Sequence, residues 1–452
     1  MSDNNESKPN LDNLQADIWP GLLKFYEIFY FFNIDEVPKF RPQLKILADT
    51  VITSASGAQA MRDEILVSKS AHAADIATRP QVVPMAGVNI AFSKVGMEKL
   101  GKEGLKDEAF NHGQFKSMTQ GEGVWQDQEE NWLETFKNGV DGVLLICGTK
   151  DKVEARLKHL EEENLGPSRG VKVAEVLRGE DLKSRPGHEH FGFKDGISQP
   201  LLKGLDDAQA KLPNKRHILT DPGTIIVTGN DEPAWATDGS YMAFRMLKQF
   251  VPEFRSFVET KASGLNYTPA QLRARLVGRW ESGAPVQVFP NVDNPKEAEK
   301  NDFDYTEDLE DKNCPFAAHI RKTKPRGDLG DRTDYDIMRR GIPYGKEFFS
   351  GEEKMPEDRG LLFVCYQSSL AKGFQFITKN WINENSFPPR ATSVDVTPGI
   401  DPIMGSSRMN NMSIVDGKGA RKSIDFDSFV QSKGGEYFFM PSLPLLREMA
   451  TM

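Results

Sequence analysis

Short runs of Val, Ile and Leu closed off by glycine, each followed by a helical pattern, most limit what this chain of 452 residues can fold into. One run, at residues 88–91, leads into a helical pattern at 94–100, and a second, at 143–147, into one at 152–160. Strand followed by helix points to α+β or α/β layers rather than to an all-helical or all-strand architecture. A chain this long exceeds one ordinary core and suits two compact domains of roughly 200 residues each. Hydrophobic residues make up 38% and aromatic residues 10% of the chain, enough apolar surface for two cores and too much for a disordered chain.

Residues 203–221 are polar and lead through Pro222-Gly223 into an apolar run at 224–227 that reads as a strand. The domain boundary is therefore placed near residue 210, giving a polar tail over 1–11, an N-terminal domain over 12–210 and a C-terminal domain over 211–452. The second half repeats the alternation, with a helix–turn pattern over 241–258 and another at 276–280 ahead of Gly283-Ala284-Pro285. Near the start, Asp17 is placed to cap a turn into Leu22, Leu23, Tyr26, Phe29 and Tyr30, whose spacing of three to four residues predicts a helix. Residues 293–311 carry nine Asp and Glu against Lys296 and Lys300 and read as a solvated loop.

A net charge of −9 disfavours a nucleic-acid partner, whose phosphates require a basic surface. The three cysteines, Cys147, Cys314 and Cys365, form no CxxC pair and are expected to be buried free thiols. The polar start MSDNNESKPN is not a signal peptide, and no segment approaches 18 uninterrupted apolar residues, so no membrane span is expected. The expected location is cytoplasmic by default, or extracellular if a leader has been removed.

Against this acidic background the stretch CPFAAHIRKTKPR places one histidine, His319, in an apolar context and follows it with four cations in six residues, Arg321, Lys322, Lys324 and Arg326. A neutral imidazole leaving an apolar wall suits the fifth ligand position of haem iron, and neighbouring cations such as Arg321 suit the propionates. A structural histidine beside a solvated basic face would give the same pattern. Upstream, HEHFGFKDGISQP contains Gly192-x-x-Asp195-Gly196, which a turn alone would explain, or which would let backbone approach a flat ligand under one carboxylate. In IMRRGIPYG two arginines, Arg339 and Arg340, stand before a Gly-x-Pro turn, either as surface ion-pair residues or as a fixed cation.

Together these stretches resemble the dye-decolorising peroxidase family, closest to its longer, fungal-type members. The resemblance runs through most of the chain, from NLQADIWPGLLKFYEIFYFF through GSYMAFRMLKQFVPEF and GRWESGAPV to WINENSFPP and GIDPIMG. It implies two ferredoxin-like α+β domains with mostly antiparallel sheets and one haem b per chain in the C-terminal domain. His319 then corresponds to the iron ligand, Asp195 to the carboxylate that moves the peroxide proton, and Arg339, rather than Arg340, to the arginine beside it. The same resemblance makes Asp401 the acceptor for the Nδ1 proton of His319, and lines the pocket with Gly196, Ile197, Leu361 and Phe363.

The implied activity is the reduction of hydrogen peroxide and the oxidation of phenolic or dye-type donors through a ferryl intermediate, by a monomer or a homodimer. A haem-binding protein that releases iron or transfers haem is the alternative. His190, five residues before Asp195, is the rival proton shuttle. In an extended segment an odd spacing points the two to opposite faces, so only one can face the haem. Trp381 and Tyr344 match positions where surface aromatics relay oxidising equivalents to bulky dyes.

Overall fold

In the computed structural model, which describes residues 9–72, 85–120, 127–215, 218–229, 231–349, 358–406 and 410–452, the predicted strand–helix alternation is present in both halves. The runs near 88 and 143 are β2 (Ala86–Phe92) and β3 (Gly142–Gly148), followed by the helices Lys94–Lys99 and Lys150–Glu163. With β1 (Tyr26–Ile34) and β4 (Val171–Glu180) they form an antiparallel quartet in the order β4-β1-β3-β2.

The second half builds the same order from β5 (Ser240–Gln249), the short β6 (Met338–Arg339) and β7 (Ile342–Tyr344), β8 (Gly360–Gln367) and β11 (Val430–Met440). Its quartet runs β11-β5-β8, with both β6 and β7 on the far side of β8. In each quartet the last strand pairs with the first, the first with the third and the third with the second, the ferredoxin-like arrangement. The two quartets form one nine-stranded sheet, joined where Phe439 of β11 pairs with Phe92 of β2. At the other end β4 packs against β7, where a side chain at Gly179 would collide with Ile342. A separate hairpin, β9 (Asn411–Val415) and β10 (Arg421–Asp425), follows.

Three sequence expectations are corrected. The helix expected from Leu22 to Tyr30 is instead the approach to β1, whose nine residues are buried except for the partly exposed Asn33. A central strand covered on both faces shows no alternation, and its apolar run mimics helical spacing. The same cause hides β5 in the helix–turn pattern over 241–258, where the helix begins only at Val251. The strand expected at 224–227 begins as the short helix Pro222–Ile225, because Asp221 accepts the Gly223 N–H at 2.6 Å and Pro222 starts the turn.

The main core runs from Leu14 to Ala450 and includes both quartets. A second cluster gathers the helix Val251–Ala262, the helix Pro269–Val277, the β9–β10 hairpin and the loop residues Phe191 and Phe193. All three cysteines are buried free thiols. No helix among the described residues is long and apolar enough to cross a membrane.

Candidate active site

One face of the second quartet is the floor of a cavity of about 770 Å³. The pleat decides which residues it shows: Arg245 opposes Phe363, Leu247 opposes Leu361, and Gln249 opposes Val430, all on one side. This volume lies within the roughly 300–1,000 Å³ of ordinary ligand and cofactor sites. His319, Asp195, Gly196, Ile197, Arg339, Leu361 and Phe363 all line it.

His319 opens the short helix His319–Thr323, and its Nδ1 lies 2.7 Å from Oδ2 of Asp401. Burial disfavours a charged ring there, but the buried Asp401 carboxylate outweighs it and raises the imidazole above its ordinary pKa. With Nδ1 engaged and the side chain 29% exposed, Nε2 is the ring atom left for a ligand.

Asp195 and Arg339 form an ion pair in the same cavity, Nη1 to Oδ1 at 2.6 Å, with side chains 36% and 30% exposed. Burial pushes the carboxyl up, yet the Arg339 charge and hydrogen bond and the Gly196 N–H hold it below its ordinary value. Arg339 is itself fixed at several points. Its Nη2 donates to Ser198 O at 3.1 Å, and its main chain exchanges two hydrogen bonds with the Gln199 amide, at 3.0 and 3.1 Å. Arg340 also lines the cavity, but its guanidinium donates to the carbonyls of Asp17, Ile18 and Pro20 instead of to Asp195.

The segment carrying Asp195 is a tight turn rather than an extended strand, with Gly192 at φ 103°. His190 is buried outside the cavity lining, and its Nε2 donates to Tyr344 O at 2.8 Å. Of the two rivals, only Asp195 faces the cavity.

Arg321 is corrected. It is fully buried outside the cavity lining, paired to Asp308 at 3.0 Å and Asp328 at 2.7 Å. Two positions after His319 on a helix, it points to the opposite side. Besides Arg245 of the floor, which is paired to Asp127, the buried cations lining the cavity are Arg326, one of the four cations of the His319 stretch, and Arg279, which carried no sequence signal; Asn301 Oδ1 accepts from both, at 2.6 and 2.9 Å. The other acceptors of Arg279 are the carbonyls of Gly283 and Lys300. Burial among neutral acceptors brings Arg279 down to about 10.

The two expected relay residues are not at the surface. Trp381 is 6% exposed, in an aromatic cluster with Tyr335, Phe376 and Phe387. Tyr344 is 7% exposed and donates from its hydroxyl to Asp358. Tyr335, packed on Trp381 with ring centroids 5.1 Å apart, is the member of this cluster that lines the cavity.

The arrangement suits a porphyrin: one imidazole with a backed Nδ1, a floor with the apolar side chains Leu247, Leu361, Phe363 and Val430, the buried guanidiniums of Arg279 and Arg326 for anionic groups, and an ionised acid–arginine pair in the same space. Comparison with known proteins agrees. Residues 13–181 match the DyP dimeric alpha+beta barrel domain, and residues 189–388 match the C-terminal domain of Dyp-type peroxidases. The chain belongs to the dye-decolorising peroxidase family, and it is a hydrogen-peroxide-dependent oxidoreductase. Peroxidase 2 of Mycetinis scorodonius is 37% identical over 97% of this chain and 87% of its own length. A dye-decolorising peroxidase of Pleurotus ostreatus superposes with a TM-score of 0.87 at 34% identity, covering 98% of this chain and 99% of that one. A dye-decolorising peroxidase solved with 2,6-dimethoxyphenol has a TM-score of 0.83 at 34% identity, covering 98% and 99%.

Proposed function

We propose that the cavity holds one haem b, with iron on Nε2 of His319 and the propionates toward Arg279 and Arg326, and that Asp195 and Arg339 handle hydrogen peroxide. The observation that carries this reading is the Asp195–Arg339 ion pair in the same cavity as the Asp401-backed His319. A haem there supplies the redox chemistry, taking up the oxidising equivalents of peroxide and passing them to the donor.

The chain's own residues move the proton. Asp195, ionised when peroxide arrives, takes the proton from one peroxide oxygen and returns it to the other, which leaves as water. A positioned acid–base group of this kind contributes roughly 10²–10⁴ in rate. Arg339 keeps the carboxylate ionised and stabilises negative charge on the departing oxygen. Leu361 and Phe363 give the floor its apolar part, which strengthens both effects.

Phenols and dyes are the proposed donors, supported by the family and by the 2,6-dimethoxyphenol complex of a relative. For donors too large to enter, Tyr335 and Trp381 are the proposed route outward.

The test is the absorption spectrum of the haem-loaded protein before and after one equivalent of peroxide, in the native chain and in Asp195→Asn. The native spectrum is expected to change within the mixing time and to return on addition of a phenol, and the variant to react roughly 10²–10⁴ times more slowly. Near-native reactivity in Asp195→Asn removes Asp195 from this role. Release of iron on anaerobic reduction, without peroxide turnover, would favour the haem-handling alternative.

A further inference from the structure

The loop that carries Asp195 is closed around another carboxylate, six residues upstream. Glu189 Oε2 accepts the Phe191 N–H and Oε1 accepts the Phe193 N–H, both at 2.8 Å. These amides flank Gly192, whose φ of 103° is a conformation that side chains avoid. The main chain closes the same turn: Glu189 N–H donates to Phe193 O at 3.0 Å, and Glu189 O accepts the Gly192 N–H at 2.9 Å.

Two further contacts tie this turn to the body of the protein. Gln249 Nε2, on the β5 floor of the cavity, donates to Glu189 Oε2 at 2.5 Å. Phe191 and Phe193 are buried in the second core cluster, Phe191 against Phe254 with ring centroids 4.6 Å apart. On the near side of Asp195, its N–H donates to Gly187 O at 2.9 Å. The side chain of Glu189 thus gathers three donors, two from the loop and one from the sheet. Beyond Asp195 the same loop is tied to Arg339 through Gln199 and Ser198. Because Ser198 and Gln199 follow Asp195 on the same loop, the carboxylate is anchored on both sides, by Arg339 beyond it and by Glu189 before it.

We infer that Glu189 is a positioning residue for the reaction with peroxide: by gripping the Phe191 and Phe193 amides and the Gln249 amide, it fixes where the Asp195 carboxylate stands relative to Arg339 and the cavity floor. It touches neither peroxide nor donor and acts only through Asp195. The inference rests on the role proposed for Asp195.

The test is a double-mutant cycle on the haem-loaded protein. Glu189→Gln keeps the size and one acceptor oxygen but cannot accept both amides. It is made alone and in the Asp195→Asn background, with the rate of reaction with peroxide and the KM for a phenol measured in each. Alone, it is expected to slow the peroxide reaction roughly 10–100-fold, the scale of an ångström of misplacement, and to leave the KM for the phenol unchanged. In the Asp195→Asn background the further loss is expected to be about twofold or less, because no carboxylate remains to be aimed. Equal losses in the two backgrounds, or no loss in the native one, overturn the inference. If Asp195→Asn itself reacts at the native rate, the reading of Asp195 is what falls. Should Glu189→Gln not fold, Gln249→Met removes only the donor from the sheet and goes through the same cycle, where the loss is again expected only when Asp195 is present and equal losses again overturn the inference.

Discussion

Nδ1 of His319 stands 2.7 Å from Oδ2 of Asp401, 82 positions away in sequence, and Oδ1 of the same carboxylate accepts the N–H groups of Ile403 and Met404 at 2.8 and 3.1 Å. Two amides hold the carboxylate, and the carboxylate holds the ring. The proton is thereby placed on Nδ1, which leaves the lone pair of Nε2 toward the cavity. A carboxylate behind a metal-binding imidazole also raises its basicity, which strengthens the bond to iron and favours the more oxidised metal.

Asp401→Asn keeps a hydrogen-bond acceptor but removes the charge. The Fe(III)/Fe(II) potential of the haem-loaded variant is expected to rise, and haem transfer to apomyoglobin to accelerate roughly 10–100-fold. Spectroelectrochemistry and a transfer assay measure the two effects. An unchanged potential would show that the charge of Asp401 does not reach the metal.

The pH dependence of the peroxide step follows from the Asp195 carboxyl, which Arg339 holds below its ordinary value of 3.8 against the effect of burial. The shuttle must be ionised, so the acid limb of the native rate is expected below that of an ordinary aspartate. In Arg339→Leu, burial acts without its main opponent, so the carboxyl titrates higher and the acid limb moves to higher pH. The variant therefore loses more rate at pH 5 than at pH 8. Stopped-flow rates across this range decide the matter, and superimposable acid limbs would contradict it.

How far the sequence could be read depended on whether a signal was local. Strands β2 and β3 were legible because glycine and a following helix mark their ends, whereas β1 and β5 were not, since burial on both faces erases the alternation that identifies a strand. His319, Asp195 and Arg339 stand in short motifs that could be singled out, and the structure brings all three to one cavity. Arg321 was misplaced because proximity in sequence does not reveal which side of a helical turn a cation takes. Gln199 and Arg279 carried no local signal, because Gln199 meets Arg339 across 140 residues and Arg279 meets Asn301 across 22. Asp195 and His190 could not be separated by alternation, because a turn around Gly192 replaces the extended segment on which that rule depends.

Trp381 is stacked on Phe387 and packed edge-on against Tyr335 of the cavity wall. Trp381→Phe preserves most of this packing but removes the indole. It is expected to leave the peroxide step and the oxidation of a small phenol unchanged and to lower turnover of a bulky anthraquinone dye. Trp381→Ser is expected to lose the dye activity and also about 3–5 kcal/mol of stability, since the side chain is 6% exposed. Steady-state assays with both donors and a denaturant titration separate the effects. Unchanged dye turnover in Trp381→Phe would remove this residue from the route.

His190 supplies a pH effect on stability rather than on catalysis. Burial is the main cause that brings its pKa from an ordinary 6.5 to about 4, and its Nε2 donates to Tyr344 O at 2.8 Å. The unfolded chain takes up a proton on this ring below pH 6.5, while the folded chain refuses it until about pH 4. The stabilisation is therefore complete above pH 6.5, declines as the pH falls, and is gone near pH 4, a change of about 3 kcal/mol across the window. His190→Gln retains a donor for the Tyr344 carbonyl but has no proton to gain. Its unfolding free energy is expected to fall less steeply between pH 6.5 and pH 4 than that of the native chain. Denaturant titrations of the two proteins at several pH values measure the difference, and parallel profiles would show that the buried ring titrates as it does in water.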